Sequence, residues 1–332
     1  MKVTVINESS SVYNLGAHKI ANYCRARGDE VWFAPRADMF GLLCDQAFIS
    51  TIFTWDIPNT ITDIQSLLAA GVKVEVGGPA ATVMSDYILK ETGVTVHRGL
   101  DARFEHVKGR YEAVFTSRGC PRGCEFCIVK EMEGTKIVEY EDYPVPVGRR
   151  PFVCDNNPLL TSWGHQEKMV ARFKHIRKLD LNSGFDDRIF IQDPEKYYHL
   201  YSQLKLLCWR FAYDKPEQRP VIKQVADFLH NKGVSYRDII VFCLAGFDTT
   251  FEQARERLQY LVDIGVSPYP MRYRPLDSLE KNYTPPGWVP GSLEHLFGYY
   301  GVAERWRKIP WREYNHEYRP QTTSVDNPGL WS

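Results

Sequence analysis

The stretch AVFTSRGCPRGCEFC, residues 113–127, joins a short run of strand-forming residues to a loop of glycine, proline and cysteine. Ala113, Val114, Phe115 and Thr116 read as a strand. Gly119, Pro121 and Gly123 then end it and give a turn-rich loop. Cys120, Cys124 and Cys127 all fall on that loop. A loop that directly follows a strand of a strand–helix fold sits at the strand's carboxyl end, where such folds gather their reactive groups.

Further along the chain, strand-like runs recur at 152–154, 179–182, 206–211, 239–244 and 269–273. Helical patterns separate several of them, at 166–178, 194–203, 216–232 and 250–264. The last carries Phe251, Ala254, Leu258, Leu261 and Val262 at helical spacing, with Gly265 as its stop. Counting the strand at 113–116, the pattern predicts a partial (β/α)6 TIM-type barrel over residues 109–277.

Toward the amino terminus the alternation continues in shorter steps. Strands are expected at 3–6, 31–33, 47–53 and 72–76, and helices at 15–27 and 61–70. Short apolar runs between amphipathic helices predict a mainly parallel sheet covered on both faces, hence a Rossmann-like lobe over 1–108. Segments 7–14, 50–55 and 77–81 would line its ligand crevice. The pair Gly77-Gly78 serves either as a tight strand-to-helix turn or as a close approach to a ligand. Only Gly16 follows the first strand, so the three-glycine dinucleotide pattern is absent and a nicotinamide enzyme is disfavoured. Residues 278–332 form an extension rich in Pro, Trp and Tyr, and 326–332 read as a loose tail.

Composition narrows the classes. The 332 residues carry 41 basic and 41 acidic side chains, so no global field draws the chain to nucleic acid or an anionic membrane. No run approaches the roughly 18 apolar residues of a spanning helix, and Met1-Lys2 leads straight into a strand pattern. These features predict a cytoplasmic protein without a membrane partner. The eight cysteines are not arranged as a disulfide scaffold. Cys24, Cys44, Cys208 and Cys243 stand singly and read as small buried hydrophobes.

Three closely spaced thiolates can hold three corners of an iron–sulfur cubane and leave one iron without a protein ligand. The spacing of three and then two residues between Cys120, Cys124 and Cys127, with Phe126 before the last cysteine, resembles the radical S-adenosylmethionine superfamily. That resemblance implies a [4Fe–4S] cluster that chelates S-adenosylmethionine, cleaves it reductively and yields a 5′-deoxyadenosyl radical. It also implies a reductant such as flavodoxin or ferredoxin. Asp155, Asn156 and Asn157 stand where the family contacts the cofactor's amino group, although the usual Gly-Gly-Glu is missing. A turn and helix cap explains them equally well. Asp186, Asp187, Arg188, Arg210, Asp214 and Gly246 fall at later strand ends. Arg188 is expected to grip the cofactor carboxylate or to pair with a neighbouring Asp. By the resemblance, Arg210 and Gly246 join the cofactor-binding set.

The front lobe resembles the cobalamin-binding class of the superfamily. The Asp-x-His-x-x-Gly loop of that class is absent, and His18 reads as a surface or capping residue, so cobalamin stays open with no His ligand. The methylthiolating branch has a similar layout, but Cys24 and Cys44 do not supply its second cluster.

Three other readings compete. Cys154 as a fourth thiolate would make a structural zinc site. A non-catalytic scaffold would keep the fold alone. The basic and aromatic residues of 305–319 suggest single-strand binding, but acids are interleaved and a packed closing segment is simpler. No residue identifies the substrate; Tyr213 and Cys243 are candidate hydrogen donors by position alone.

Overall fold

Burial of the central strands on both faces organises the first sheet. Strands β1 (Lys2–Asn7), β2 (Glu30–Ala34), β3 (Gln46–Ser50) and β4 (Lys73–Gly77) are all parallel, in the order β2-β1-β3-β4. The register sets Val5 opposite Phe33 on one side and Phe48 on the other. Helices α1 (Leu15–Ala26), α2 (Ile57–Ala69), α3 (Pro79–Val83), α4 (Ser85–Thr92) and α5 (Ala102–Glu105) cover the sheet. Val3, Val5 and Phe48 pack with Ala17, Ala21 and Cys24 of α1 and with Phe104 of α5. Ile6, Ala47 and Ile49 pack with Ile57, Ile64 and Leu67 of α2 and Ile88 of α4. Successive residues of β1 and β3 therefore serve opposite faces, so apolar residues are needed on both. After α4 a further parallel bridge sets Val96 beside Val76.

The computed structural model describes residues 1–9 and 11–314. By compactness the chain forms two units. The first holds Met1–Phe152 and Pro275–Lys281; the second holds Val153–Arg274 and, of the described residues, 282–314. By this division residues 109–152 fall within the first unit. They contain β5 (Ala113–Val114), β6 (Ser117–Arg118), the one-turn helix α6 (Val129–Met132) and β7 (Val138–Glu139), and end in β8 (Phe152–Val153).

In the second unit, helices α7 (Trp163–Phe173), α8 (Asp187–Phe190), α9 (Pro194–Tyr201), α10 (Arg219–Asn231) and α11 (Phe251–Asp263) alternate with strands β9 (Asp180–Leu181), β10 (Trp209–Ala212), β11 (Ile239–Ala245) and β12 (Ser267–Arg272). Strands β10, β11 and β12 form a parallel sheet in that order. A parallel bridge from Leu179 to Leu206 continues the series one strand earlier. Among the described residues no closed barrel is formed.

Helix α11 starts where its sequence dictates: the Thr250 hydroxyl accepts from Gln253 N–H at 3.2 Å, and the Gln253 side chain accepts from Thr250 N–H at 2.9 Å. Strand β12 contains Pro268 and Pro270, which only an edge position tolerates. Helices α12 (Ser292–Tyr300) and α13 (Ala303–Lys308) follow. Within segment 305–319, Trp311 stacks on Tyr300 with 5.5 Å between ring centroids. Residues 315–319 of that segment and the tail 326–332 lie outside the described residues. No helix among the described residues is long and apolar enough to cross a membrane.

On α2, Ile64 is fully buried whereas Leu68 is 42% exposed. Ile64→Ala is expected to cost about 2–5 kcal/mol. Leu68→Ala is expected to stay within about 0.5 kcal/mol. Urea unfolding of both variants checks the assignment of the core face.

Candidate functional site

The cysteine loop is closed at its base. Strands β6 and β7 pair antiparallel, with Ser117 opposite Glu139 and Arg118 opposite Val138. Inside that ladder Cys120 N–H donates to the Gly134 carbonyl at 3.3 Å, and Cys127 N–H donates to the Cys124 carbonyl at 3.0 Å. Gly119 has φ +82°, and a β-carbon there would overlap the Lys136 carbonyl oxygen, so only glycine lets the two sides of the loop meet. Cys124 is exposed, Cys120 and Cys127 are partly exposed, and no cysteine forms a disulfide. Phe126 is partly buried between them.

Burial pushes the Cys127 thiol up from its ordinary range, and charge on Cys124, Cys120 and Glu133 adds to the rise. The three thiols thus share one electrostatic neighbourhood. Among the described residues no group of three or more His, Cys, Asp or Glu side chains is drawn into a preformed chelate. The donor set nevertheless fits an iron–sulfur cluster: three accessible thiols on one glycine-hinged loop can be drawn together by ligation itself.

Beneath the loop lies a group of buried charges. Arg118 donates to Glu105 Oε1 from Nε at 3.1 Å and Nη2 at 2.8 Å, and to Glu133 Oε1 from Nη1 at 2.8 Å. Glu133 Oε2 accepts from Gly119 N–H at 2.9 Å. Lys19 Nζ reaches Glu105 Oε1 at 3.2 Å. Burial disfavours a charged Glu105, but Arg118 and Lys19 outweigh it and hold its carboxyl below the usual range. Sequence reading missed Glu105, Arg118 and Glu133 as a group, because only folding brings them together.

The remaining candidates lie in the second unit. Asp155 and Asn157 are buried and Asn156 is partly exposed. The Asn157 amide donates to Asp186 Oδ2 at 3.0 Å, joining the segments that follow β8 and β9. Asp186 caps α8, and Arg188 Nε pairs with its Oδ1 at 3.2 Å while half exposed. Asp187 is pushed up by burial and accepts from Gln218, whose Oε1 accepts in turn from Asp214 N–H. Asp214 Oδ1 accepts from Leu244 N–H in β11 at 2.8 Å. Polar side chains therefore stitch the ends of β8, β9, β10 and β11 into one belt.

Arg210 stands apart. It is 1% exposed, with Nη2 on Asp180 Oδ2 at 3.2 Å and Nη1 on the same carboxylate and the Asn182 carbonyl. Its guanidinium is engaged inside the core. Gly246 packs against Pro285 on the wall of a cleft of about 1030 Å³ that Asp248, Thr250 and Trp288 also line. Tyr213 and Cys243 are buried, and burial pushes the Cys243 thiol to about 12. Cys154 belongs to this second unit and is partly exposed.

In the first unit, the crevice expected at the strand ends is polar and tightly bonded. Asn14 donates to Asn7 Oδ1 at 3.0 Å and caps α1 through Ala17 N–H. His18 is held between the rings of Tyr13 and Phe33, at centroid distances of 4.5 and 5.0 Å. Gly78, at φ +101°, would bring a β-carbon within 2.6 Å of the Thr51 carbonyl, so the Gly77-Gly78 turn has a packing reason. Sequence reading missed Glu8, Arg36 and Asp63, which lie far apart along the chain. Arg36 donates to both Asp63 oxygens at 3.0 Å, and its Nε lies 3.4 Å from Glu8 Oε1. Burial first, then Asp63, pushes Glu8 up to about 9 against the opposing charge of Arg36. Asp63 keeps its charge: burial opposes this, but Arg36 overrides it.

No known protein-family model matches the sequence. No curated protein matches it either.

Three outcomes follow from these environments. An acid whose proton is held more tightly in the folded than in the unfolded chain lowers stability progressively as pH rises between its two pKa values. For Glu8 that window runs from about 4.5 to about 9. Glu8→Gln is therefore expected to gain thermal stability relative to the wild type as pH is raised from about 5 to about 8, as read by circular dichroism. Asp180→Ala, which strands the buried Arg210, is expected to cost about 3–5 kcal/mol in urea unfolding. Arg188→Ala, at a half-exposed pair, is expected to cost less than about 1 kcal/mol.

Proposed function

We propose that this chain is a radical S-adenosylmethionine enzyme, with a Rossmann-like front lobe and a partial (β/α) barrel. The observation that carries the proposal is the loop of Cys120, Cys124 and Cys127: three accessible thiols, a base locked by β6 and β7, and no disulfide. When bound, a [4Fe–4S] cluster would supply an electron and an open iron at which S-adenosylmethionine is chelated and cleaved to a 5′-deoxyadenosyl radical.

The chain's own residues have distinct tasks in this reading. Cys120, Cys124 and Cys127 hold the metal group, and Phe126 shields one side of it. Gly119 and the β6–β7 ladder fix where the thiols begin and end. Asp155, Asn156 and Asn157 offer oxygen acceptors suited to an ammonium, and Arg188 offers a guanidinium suited to a carboxylate. Arg210 is left out of this set, because it is buried and both of its terminal nitrogens are engaged by Asp180. Cobalamin is not required, since no His stands in the loop after β1.

Anaerobic reconstitution with iron and sulfide tests the reading. The wild type should become brown, bind S-adenosylmethionine and release 5′-deoxyadenosine under dithionite. Cys124→Ala should drop to background in both iron content and product. A colourless zinc-loaded wild type with no cleavage would overturn the proposal in favour of the structural zinc site.

A further inference from the structure

We propose that Arg118 and Glu133 are an electrostatic positioning pair for the cysteine loop, setting the reduction potential of the group bound there through opposite charges fixed at the loop's base. The inference rests on reading that loop as a cluster site.

Both residues flank the loop: Arg118 precedes Cys120 by two positions, and Glu133 immediately precedes Gly134, which bonds Cys120. Neither is mobile. Arg118 is held on Glu105 and Glu133 and lies over the Phe115 ring at 3.3 Å. Glu133 is held by Arg118 on one oxygen and by Gly119 N–H on the other, one peptide unit from the first cysteine. Side-chain exposure is 11% for Arg118 and 8% for Glu133, so solvent screens them weakly.

Loop closure alone does not call for this arrangement. The β6–β7 ladder and the Cys120–Gly134 bond already close the base. A buried group of charges is a costly way to fasten a loop that apolar packing would fasten as well. The group is also balanced: Lys19 and Arg118 offset Glu105 and Glu133. Changing either member of the Arg118–Glu133 pair leaves one unit of uncompensated charge beside the thiolates. Little solvent lies between to mask it.

The signs are then fixed. One-electron reduction by dithionite adds a negative charge to the cluster and makes or breaks no bond. Arg118→Gln removes a favourable cation and should lower the potential. Glu133→Gln removes an unfavourable anion and should raise it. Each shift should be on the order of tenfold in the reduced-to-oxidised ratio at fixed poise, or about 59 mV for one electron. The double variant Arg118→Gln/Glu133→Gln should return close to the wild type.

The test is a dithionite titration of the reconstituted full chain followed by electron paramagnetic resonance, with bound iron measured in parallel. Arg118→Lys keeps the charge and should hold the wild-type potential even where iron retention falls. If Arg118→Gln does not fold, Glu133→Gln and Arg118→Lys still decide the matter. Opposite shifts in the two Gln variants support the pair; with Glu133→Gln alone, a rise does so. Equal potentials, or shifts of one sign in both, overturn it and leave a structural clamp. A wild type that takes up no iron overturns instead the cluster reading on which the inference rests.

Discussion

A two-rung ladder between Ser117–Arg118 and Val138–Glu139 governs the candidate site. Three thiols on an open chain would be held only by the entropy-limited chance of meeting. Once the ladder forms, the loop becomes a closed excursion of fixed length, and Gly119 brings its two sides together where any β-carbon would block them. Everything proposed for Cys120, Cys124 and Cys127 depends on that closure, because the thiols themselves are not prearranged. The ladder thus supplies proximity and leaves final geometry to whatever the thiols bind.

Much of this was legible beforehand, and the parts that were not share a cause. Strands of the first sheet could be read from the short apolar sets Val3, Val5 and Ile6 in β1 and Ala47, Phe48 and Ile49 in β3, which are buried on both faces. Helix α11 was legible from its apolar spacing and its Gly265 stop. The strand expected over 113–116 is instead broken into β5 and β6, because Ser117 and Arg118 leave to pair with β7, a partner more than twenty residues ahead. The cysteine loop was visible as spacing. The charges beneath it were not, since Glu105, Arg118 and Glu133 belong to three separate local patterns. Nor was the engagement of Arg210, because Asp180 lies thirty residues away and a lone arginine at a strand end reads as available.

Arginines that meet carboxylates recur as organising centres. Arg36 holds the charge on Asp63, while burial and the neighbouring Asp63 keep the proton on Glu8. Arg118 ties α5 to the segment after α6, and Arg210 ties β10 to β9. In each case a planar guanidinium meets carboxylates from distant parts of the chain with two or more hydrogen bonds, a geometry that lysine does not offer. Such pairs are expensive to bury and specify which segments must meet.

Strand β12 carries a consequence of another kind. Tyr273 N–H points toward β11, where it reaches the Ala245 carbonyl at 3.0 Å. Pro268 and Pro270, being of the opposite parity along the strand, turn to the outer side. That rim therefore offers carbonyl acceptors but lacks two of the donors a visiting strand would need. A strand edge that withholds donors is a poor template for self-association, so the prolines of β12 end the sheet by their own chemistry.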